Sequence, residues 1–237
     1  MRAALHAAPT FVLAFARPSS RSSVRMASSI APIEVERKFQ PPSDTSLLDG
    51  LVSEQGGEKL GEKAFTDTYF DTPDFSLTRR DCWLRRREAQ WELKLPVDEV
   101  AKRSGGERTV FREIEGAAAV NAALQELLPS CGAELAETMA ASGAQPFAEF
   151  KTARTKWKLG ACTIDADVAS FGHAVMEIER MCAERSEVAQ AEAEIADVAS
   201  LVGATPLKET GGKLETYIRR YVPDQFQALV EAGILRP

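Results

Sequence analysis

The most constraining feature of this 237-residue sequence is a set of short alternating segments in which like charges recur at every second position. The four pairs are Glu34 and Glu36, Arg85 and Arg87, Asp165 and Asp167, and Glu177 and Glu179. Residues two apart in a β-strand lie on one face, ~6.6 Å from each other, and like charges stacked on one face repel. Any one segment fits a solvated sheet face, but such a face usually mixes charge signs. Together the segments favour a sheet that curls with its charges inward and its apolar residues outward.

Alternation and β-forming residues predict strands at residues 33–39, 66–71, 83–88, 91–95, 109–115, 156–161, 162–167 and 175–181. Helical periodicity predicts helices at residues 45–54, 117–128, 187–201, 213–221 and 224–232. Many strands with interspersed helices are typical of a single α+β domain around a mostly antiparallel sheet or barrel. A polar lumen in such a barrel is stable only if its charges are paired, metal-bound or hydrated. It would form a tunnel rather than a packed core.

The first 32 residues differ in composition from the rest of the chain. They contain four arginines, many Ser and Ala residues and no acidic residue, which is typical of an organelle transit peptide. A disordered tail is the alternative, and Met26 offers a later start that would leave the protein in the cytoplasm. We therefore expect a disordered targeting leader at residues 1–32, for a plastid or a mitochondrion, followed by a single domain at residues 33–237.

Composition narrows the class of protein and the kind of metal site. No apolar stretch approaches the ~18 residues needed to cross a bilayer, so we expect no membrane-spanning helix. The net charge of -6 argues against coating nucleic acid by bulk attraction. The four cysteines form no C-x-x-C pair, and one of the two histidines, His6, lies in the leader. Any metal ion must therefore be held by carboxylates.

The charged faces, if they converge, form two walls of opposite character. One wall would carry five carboxylates and the other a group of guanidinium and ammonium donors. Carboxylate oxygens without His or Cys suit a hard cation, Mg²⁺ or possible substitutes such as Mn²⁺. Arginine forks suit phosphate oxygens. The ligand that needs both walls at once is a polyanion with its metal ion, such as a small-molecule triphosphate.

The strand motifs resemble those of the CYTH superfamily, also called the triphosphate tunnel metalloenzymes. Glu34-x-Glu36-x-Lys38 matches the E-x-E-x-K signature, and further motifs follow in the family's order over about residues 33 to 226. These motifs are Asp67-Thr68-Tyr69-Phe70-Asp71-Thr72, Trp83-Leu84-Arg85-Arg86-Arg87-Glu88, Trp91-Glu92-Leu93-Lys94, Asp165-x-Asp167, and Phe171-Gly172 leading into Glu177-x-Glu179. They look most like the animal thiamine triphosphatase branch. The resemblance implies an antiparallel barrel tunnel of eight strands that hydrolyses thiamine triphosphate to the diphosphate and phosphate with Mg²⁺.

The resemblance also implies a role for each matching residue. The carboxylates on the metal side would be Glu34, Glu36, Asp165, Glu177 and Glu179. The ligands of the triphosphate would be Lys38, Arg85, Arg87, Lys94, Arg154 and Lys213. Trp83 is similar to the family's aromatic platform for the thiamine head, a physically sensible site for a thiazolium cation. Tyr69 and Lys94 look like the dyad proposed to position or activate the attacking water or to protonate the leaving group.

Other functions stay open at this point. An inorganic triphosphatase or another organic triphosphatase would use the same tunnel, and class IV adenylyl cyclases share the E-x-E-x-K strand. A non-catalytic triphosphate-binding protein is a further alternative, against which the presence of all five carboxylates argues. We expect a monomer whose partner is a small-molecule triphosphate, with no nucleic acid and no membrane among its partners.

Overall fold

The computed structural model of the protein describes residues 31–97, 108–207 and 211–237. The leader expected at residues 1–32 lies outside these ranges except for its last two positions. The strands are β1 (Ile33–Phe39), β2 (Glu58–Asp71), β3 (Trp83–Arg87), β4 (Gln90–Pro96), β5 (Arg108–Glu115), β6 (Gln145–Leu159), β7 (Cys162–Ala169) and β8 (Ala174–Cys182). The helices are α1 (Thr45–Glu54), α2 (Ala117–Leu127), α3 (Leu135–Ser142), α4 (Val188–Leu201), α5 (Lys213–Tyr221) and α6 (Pro223–Glu231). Within these ranges, each helix is too short or too polar to cross a membrane.

The eight strands close into one barrel in the order β1-β5-β4-β3-β2-β6-β7-β8. Every neighbouring pair is antiparallel, and β1 completes the ring because it pairs with both β5 and β8. Closure of this kind satisfies the hydrogen-bonding groups that an open sheet would leave at its edges. The prediction of an eight-stranded antiparallel barrel surrounded by helices is confirmed.

Most aliphatic side chains of the strands point outward and pack beneath the helices. Ile33 and Val35 of β1 are fully buried, as are Ile164 of β7 and Ile178 of β8. They form one cluster with Ile195 of α4, and a second cluster packs α2 and α3 against β3, β4 and β5. Each such side chain contributes about 1.5–3 kcal/mol by burial, which offsets part of the cost of a charged lumen. The alternate positions of the same strands face the lumen.

Helices α5 and α6 cover one end of the barrel. Ile218 of α5, Leu229 of α6 and Ile234 form a small buried cluster, and Trp83 at the start of β3 packs against it. Lys213, the first residue of α5, is buried and lines the lumen. We call the end where β3 begins the Trp83 mouth, and the opposite end, where β2 begins, the far mouth.

Two strands differ from the sequence prediction by many residues, whereas the bounds of the others agree within two residues. β2 begins at Glu58 rather than at residue 66, and β6 covers residues 145–159 rather than 156–161. The predicted strand at 156–161 ended too late because Gly160 adopts a φ of +58° in the turn before β7. The additional parts of β2 and β6 pair with each other. Hydrogen bonding along this pair, rather than an alternating apolar pattern, therefore defines them.

Helix α3 was missed by the sequence prediction. It has only eight residues, and just two of them, Leu135 and Thr138, are buried. The hydroxyl of Thr138 donates a hydrogen bond to the side chain of Asn121 on α2 at 2.6 Å. Because isolated helices of this length are marginal in water, this tertiary contact stabilises a segment whose own pattern is too weak to predict.

Candidate active site

The lumen of the barrel contains a cavity of about 410 Å³ lined mainly by charged side chains. The sequence-predicted site residues that line it are Glu34, Glu36, Lys38, Tyr69, Trp83, Arg85, Arg87, Lys94, Arg154, Glu177, Glu179 and Lys213. Asp165 is fully buried in the wall behind them. Strand alternation places these side chains inward, because each lies two positions from another lumen residue or begins a helix that covers a mouth.

Three carboxylates gather where β1 meets β8. Glu36 lies opposite Glu179 in the strand register, and Glu34 shares the lumen face of β1. One oxygen from each of the three lies within 4.8 Å of the other two. Burial raises the pKa of Glu34 to about 8 despite the nearby Lys94, and the neighbouring glutamates add to this rise. A cation at this cluster would relieve the repulsion, so these residues can hold a divalent metal ion through oxygen ligands.

Hydroxyl and ammonium groups orient two members of this acidic cluster. Thr163 donates a hydrogen bond to Glu179 at 2.7 Å, and Lys156 binds the same carboxylate at 3.1 Å. Although burial opposes ionisation, Lys156 and Thr163 help to lower the pKa of Glu179 to about 2. Thr109 of β5 donates to Glu36 at 3.2 Å. The carboxylates are therefore held in place before any ligand binds.

The other two predicted metal carboxylates bind cations of the protein itself. Asp165 pairs with Arg154, and with Lys156 at 3.2 Å. Glu177 accepts hydrogen bonds from Lys213 at 2.9 Å and from Arg154 at 3.3 Å. Burial raises the pKa of Asp165 to about 6, against the opposite effect of Arg154. The five predicted carboxylates thus fall into two groups. Glu34, Glu36 and Glu179 converge on one another and are each paired with one lysine, whereas Asp165 and Glu177 are each held by Arg154 together with a lysine.

Two lysines border the acidic cluster. Lys94 of β4 forms ion pairs with Glu34 and with Glu113 of β5, the latter at 2.9 Å. Lys38 of β1 pairs with Glu36. Burial opposes the charged form of Lys94, but Glu34 and Glu113 raise its pKa well above the ordinary value. Lys94 is therefore a donor that keeps its proton in this arrangement.

Two arginines of β3 project into the lumen, as the alternation predicts. Arg85 donates from Nε to Glu92 of β4 at 2.7 Å. Arg87 makes two hydrogen bonds with Asp67 of β2, at 2.7 and 2.9 Å, and its guanidinium lies 4.0 Å from the centroid of the Phe65 ring. These contacts fix the direction of both guanidinium forks, which suits recognition of phosphate oxygens.

Arg154 and Lys213 form the most buried part of the basic wall. Arg154 donates two hydrogen bonds to Asp167 of β7, both at 2.6 Å. The ammonium of Lys213 binds Asp167 and Glu177. Burial opposes both positive charges, but the carboxylates raise the pKa of each basic group. Arg154 lies here because β6 spans the whole barrel, and Lys213 because α5 begins at the mouth.

Trp83 lines the cavity at the Trp83 mouth and is oriented by a buried carboxylate. Its indole Nε1 donates a hydrogen bond to Asp81 at 2.7 Å, and Asp81 is fully buried. Asp81 adopts a left-handed φ of +62° directly after the short 3-10 helix Thr78–Arg80, a conformation that Asp tolerates better than most residues. The backbone turn and this hydrogen bond fix the plane of the indole, whose face can bind an organic cation.

The two members of the predicted dyad lie on different strands. Tyr69 of β2 and Lys94 of β4 flank β3, which separates their backbones by ~10 Å of sheet. Tyr69 lies opposite Arg85 in the register and stacks on Phe150 with ring centroids 5.9 Å apart. Within residues 31–97, 108–207 and 211–237, no hydrogen bond joins Tyr69 to Lys94. A reacting group between them would be needed to connect the two.

Sequence reasoning missed several charged lumen residues. Glu92 and Glu113 could have been found, because each alternates with apolar residues in a predicted strand. Lys63 lies in the part of β2 that was not predicted to be a strand, so its direction was not evident. Lys156 was the first residue of a predicted strand, but only its pairing with Asp165 and Glu179 shows that it faces the lumen.

Comparisons with known proteins agree with this geometry. Residues 32–210 match the model of the CYTH domain. The chain is 36% identical to thiamine-triphosphatase of Homo sapiens over 217 residues, covering 86% of this chain and 92% of that protein. It is 35% identical to thiamine-triphosphatase of Macaca fascicularis over 214 residues, covering 85% and 90%.

A solved structure shares the fold at lower identity. It is a putative adenylyl cyclase from Hippeastrum, described as having a dominant triphosphatase activity. Its TM-score is 0.52 at 15% identity, and the likeness covers 81% of this chain and 98% of that one. At this identity the comparison concerns the fold alone.

The class of triphosphate tunnel proteins is defined by a closed antiparallel barrel. Its lumen contains both an acidic cluster and a wall of basic side chains. The strand order, the charged lumen and the covering helices all fit this class. The chain belongs to the CYTH domain family, because the family match covers most of its length and the curated relatives are more than a third identical. The resemblance inferred from the strand motifs is thereby confirmed.

Proposed function

We propose that this protein hydrolyses thiamine triphosphate to thiamine diphosphate and phosphate, in a reaction that depends on Mg²⁺. The protein is a hydrolase of phosphoanhydride bonds that acts on a triphosphate, as its curated relatives indicate. The observation that carries the finer proposal is the set of groups that share the cavity. Trp83, Arg85 and Arg87 lie on the lumen face of β3, and three carboxylates converge where β1 meets β8.

The metal site that we propose consists of Glu34, Glu36 and Glu179. Their three convergent carboxylates fit a hard divalent cation such as Mg²⁺, with Mn²⁺ as a substitute, since the described residues that line the cavity include no His or Cys. When bound, the ion supplies positive charge that stabilises the phosphate oxygens as negative charge develops in the transition state. Asp165 and Glu177 contribute differently, by fixing Arg154 and Lys213.

The basic wall binds and aligns the phosphates. Arg85 and Arg87 stand two apart on β3, and each is held by a carboxylate of a neighbouring strand. Arg154 and Lys213 approach from β6 and α5, so the phosphate chain would be contacted from several sides. Because these donors are oriented before the substrate arrives, they need little reorganisation during the reaction. Lys38 adds a further ammonium group beside Glu36.

Water would attack the terminal phosphorus in line with the leaving diphosphate. Lys94 is an ammonium bound to Glu34, so it can donate a hydrogen bond to the leaving oxygen and stabilise its developing negative charge. The hydroxyl of Tyr69 lies on the other side of β3 and can orient the water or a phosphate oxygen. Neither role requires direct contact between the two side chains.

The organic head would bind at the Trp83 mouth. The indole plane is fixed by Asp81, and the apolar residues Ile234 and Leu235 also line the cavity there. A thiazolium cation over an indole face gains roughly 0.5–2 kcal/mol, depending on how far it is desolvated. This contact distinguishes thiamine triphosphate from inorganic triphosphate, which has no head group.

A substrate panel tests the proposed function. The purified full chain with Mg²⁺ is expected to release phosphate from thiamine triphosphate with a higher kcat/KM than from inorganic triphosphate or ATP, and to lose this activity in EDTA. Faster cleavage of inorganic triphosphate would replace the proposal with a general triphosphatase. Formation of cyclic AMP from ATP would instead indicate a cyclase, and binding without turnover would indicate a sensor.

Trp83→Ala should separate the head-group contact from phosphate binding. We expect KM for thiamine triphosphate to rise about tenfold, because the cation–π contact is lost, while KM for inorganic triphosphate changes less than about twofold. The two substrates measured on one variant provide the internal control for folding. An equal rise for both substrates would contradict the assignment of Trp83 to the thiamine head.

A further inference from the structure

Three basic groups surround the ring of Phe65 on the side of the lumen towards the far mouth. The guanidinium of Arg87 lies 4.0 Å from the ring centroid. The guanidinium of Arg154 and the ammonium of Lys63 each lie 5.3 Å from it. We call Lys63, Arg87 and Arg154 the Phe65 cation group. The aromatic ring lowers the cost of bringing these charges together.

Within the part of the chain that the structure describes, Lys63 differs from Arg87 and Arg154 in having no acidic partner. Arg87 is neutralised by Asp67, and Arg154 by Asp165, Asp167 and Glu177. Among the described residues, Lys63 is the one cavity-lining cation of the barrel strands without a carboxylate oxygen within 4.0 Å. Its positive charge is therefore available to an anionic ligand.

The surroundings of Lys63 carry excess positive charge. Burial lowers its pKa, and the charges of Arg154, Arg87 and Lys156 lower it further. The negative charge of Asp165 acts in the opposite sense, with a smaller effect. An anion bound beside Lys63 would reduce the repulsion among these positive charges, just as a cation would reduce the repulsion among the carboxylates of the acidic cluster.

The position of Lys63 along the tunnel indicates which anion this would be. On β2 it lies six residues before Tyr69, the partner of Arg85, which corresponds to about 20 Å of strand. Lys63 is thus remote from the Trp83 mouth, and it lies opposite Arg154 in the β2–β6 register. A triphosphate whose head lies at Trp83 would therefore meet Arg85 before it reaches the part of β2 and β6 where Lys63 and Arg154 face each other. Lys63 is also exposed at the far mouth.

We infer that Lys63 and the adjacent Lys156 form a further phosphate-binding subsite at the far mouth, beyond the three phosphates of the substrate. The ligand is a phosphate group. It is either the fourth phosphate of a longer inorganic polyphosphate or the orthophosphate released by hydrolysis. This inference rests on the proposed orientation of the triphosphate in the tunnel, but it concerns binding and does not require turnover.

The test compares wild type with Lys63→Gln, and with Lys151→Gln as a matched control. Lys151 is an exposed lysine of β6 that does not line the cavity, so its removal reproduces the change in net charge alone. Binding of inorganic triphosphate and inorganic tetraphosphate to the full chain is measured by calorimetry, without added metal. Binding of orthophosphate is followed by line broadening in phosphorus NMR.

We expect Lys63→Gln to weaken tetraphosphate binding about fivefold, the size typical of a partly exposed charge contact, and triphosphate binding less than about twofold. This result assigns the subsite to a longer chain. Weaker orthophosphate binding with unchanged tetraphosphate binding assigns it to the released product. An equal loss for triphosphate and tetraphosphate, no loss for any ligand, or the same loss in Lys151→Gln would overturn the inference. Because no turnover is measured, failure of the thiamine triphosphatase proposal in the substrate panel remains a separate result.

Discussion

Glu36→Gln should abolish Mg²⁺-dependent triphosphate hydrolysis while the barrel stays folded. Glu36 is central to the acidic cluster, because Glu34 lies two positions away on β1 and Glu179 lies opposite it on β8. Glutamine keeps the shape and one acceptor oxygen but removes the charge that a divalent cation requires. Loss of several kcal/mol of transition-state stabilisation corresponds to roughly a thousandfold lower kcat. Phosphate-release kinetics and a Mn²⁺ binding titration measure the two effects.

Glu115→Gln is the matched control for this substitution. Glu115 also lines the cavity, on β5, but it is exposed and is not part of the acidic cluster. We expect this variant to bind Mn²⁺ and to turn over within about threefold of wild type, since a single exposed charge contributes little. Near-normal activity of Glu36→Gln, or equal losses in both variants, would contradict the assigned metal site.

Arg154→Gln should cause the largest loss of stability of any single lumen substitution. Arg154 is buried and compensates Asp165, Asp167 and Glu177, so its removal leaves three buried carboxylates with only lysine partners. Breaking a buried charge network of this kind costs about 3–5 kcal/mol. For a chain of this size the melting temperature falls by roughly 10 °C. Urea unfolding and thermal scans measure the change.

Two further variants test the cause of that loss. Arg86→Gln removes an exposed arginine from the outer face of β3, where it lies near Phe70 and Trp91, and should cost less than about 1 kcal/mol. Adding Asp167→Asn to Arg154→Gln should restore part of the lost stability, because one uncompensated charge disappears. A loss below about 1 kcal/mol for Arg154→Gln, or no recovery in the double variant, would show that the network is not stabilising.

The sequence alone predicted well which side chains lie together on one face of a strand. In β1, residues two apart must share a face whatever the strand pairs with, so Glu34, Glu36 and Lys38 could be placed together before the fold was known. The same holds for Arg85 and Arg87 on β3. Lys63 could not be placed, because the first half of β2 is polar on both faces and forms a strand only through its pairing with β6.

The grouping of the carboxylates could not be predicted. Asp165, Glu177 and Glu179 are equivalent in the strand pattern, since each alternates with apolar residues in β7 or β8. The structure distinguishes them because Arg154 of β6 reaches Asp165 and Glu177, whereas Glu179 lies opposite Glu36. These contacts depend on the register between strands that are far apart in the sequence.

By itself, the sequence determined that the barrel would be inverted, with charges inside and apolar residues under the helices. Strand periodicity and the sorting of like charges are local properties, and the E-x-E-x-K strand with its following motifs already identified the family. The tertiary structure alone decided which carboxylates converge on one another and that, among the described residues, Lys63 has no carboxylate oxygen within 4.0 Å. The physical reason is that compensation of a buried charge depends on distances across the lumen, which are set by closure of the barrel rather than by spacing along the chain.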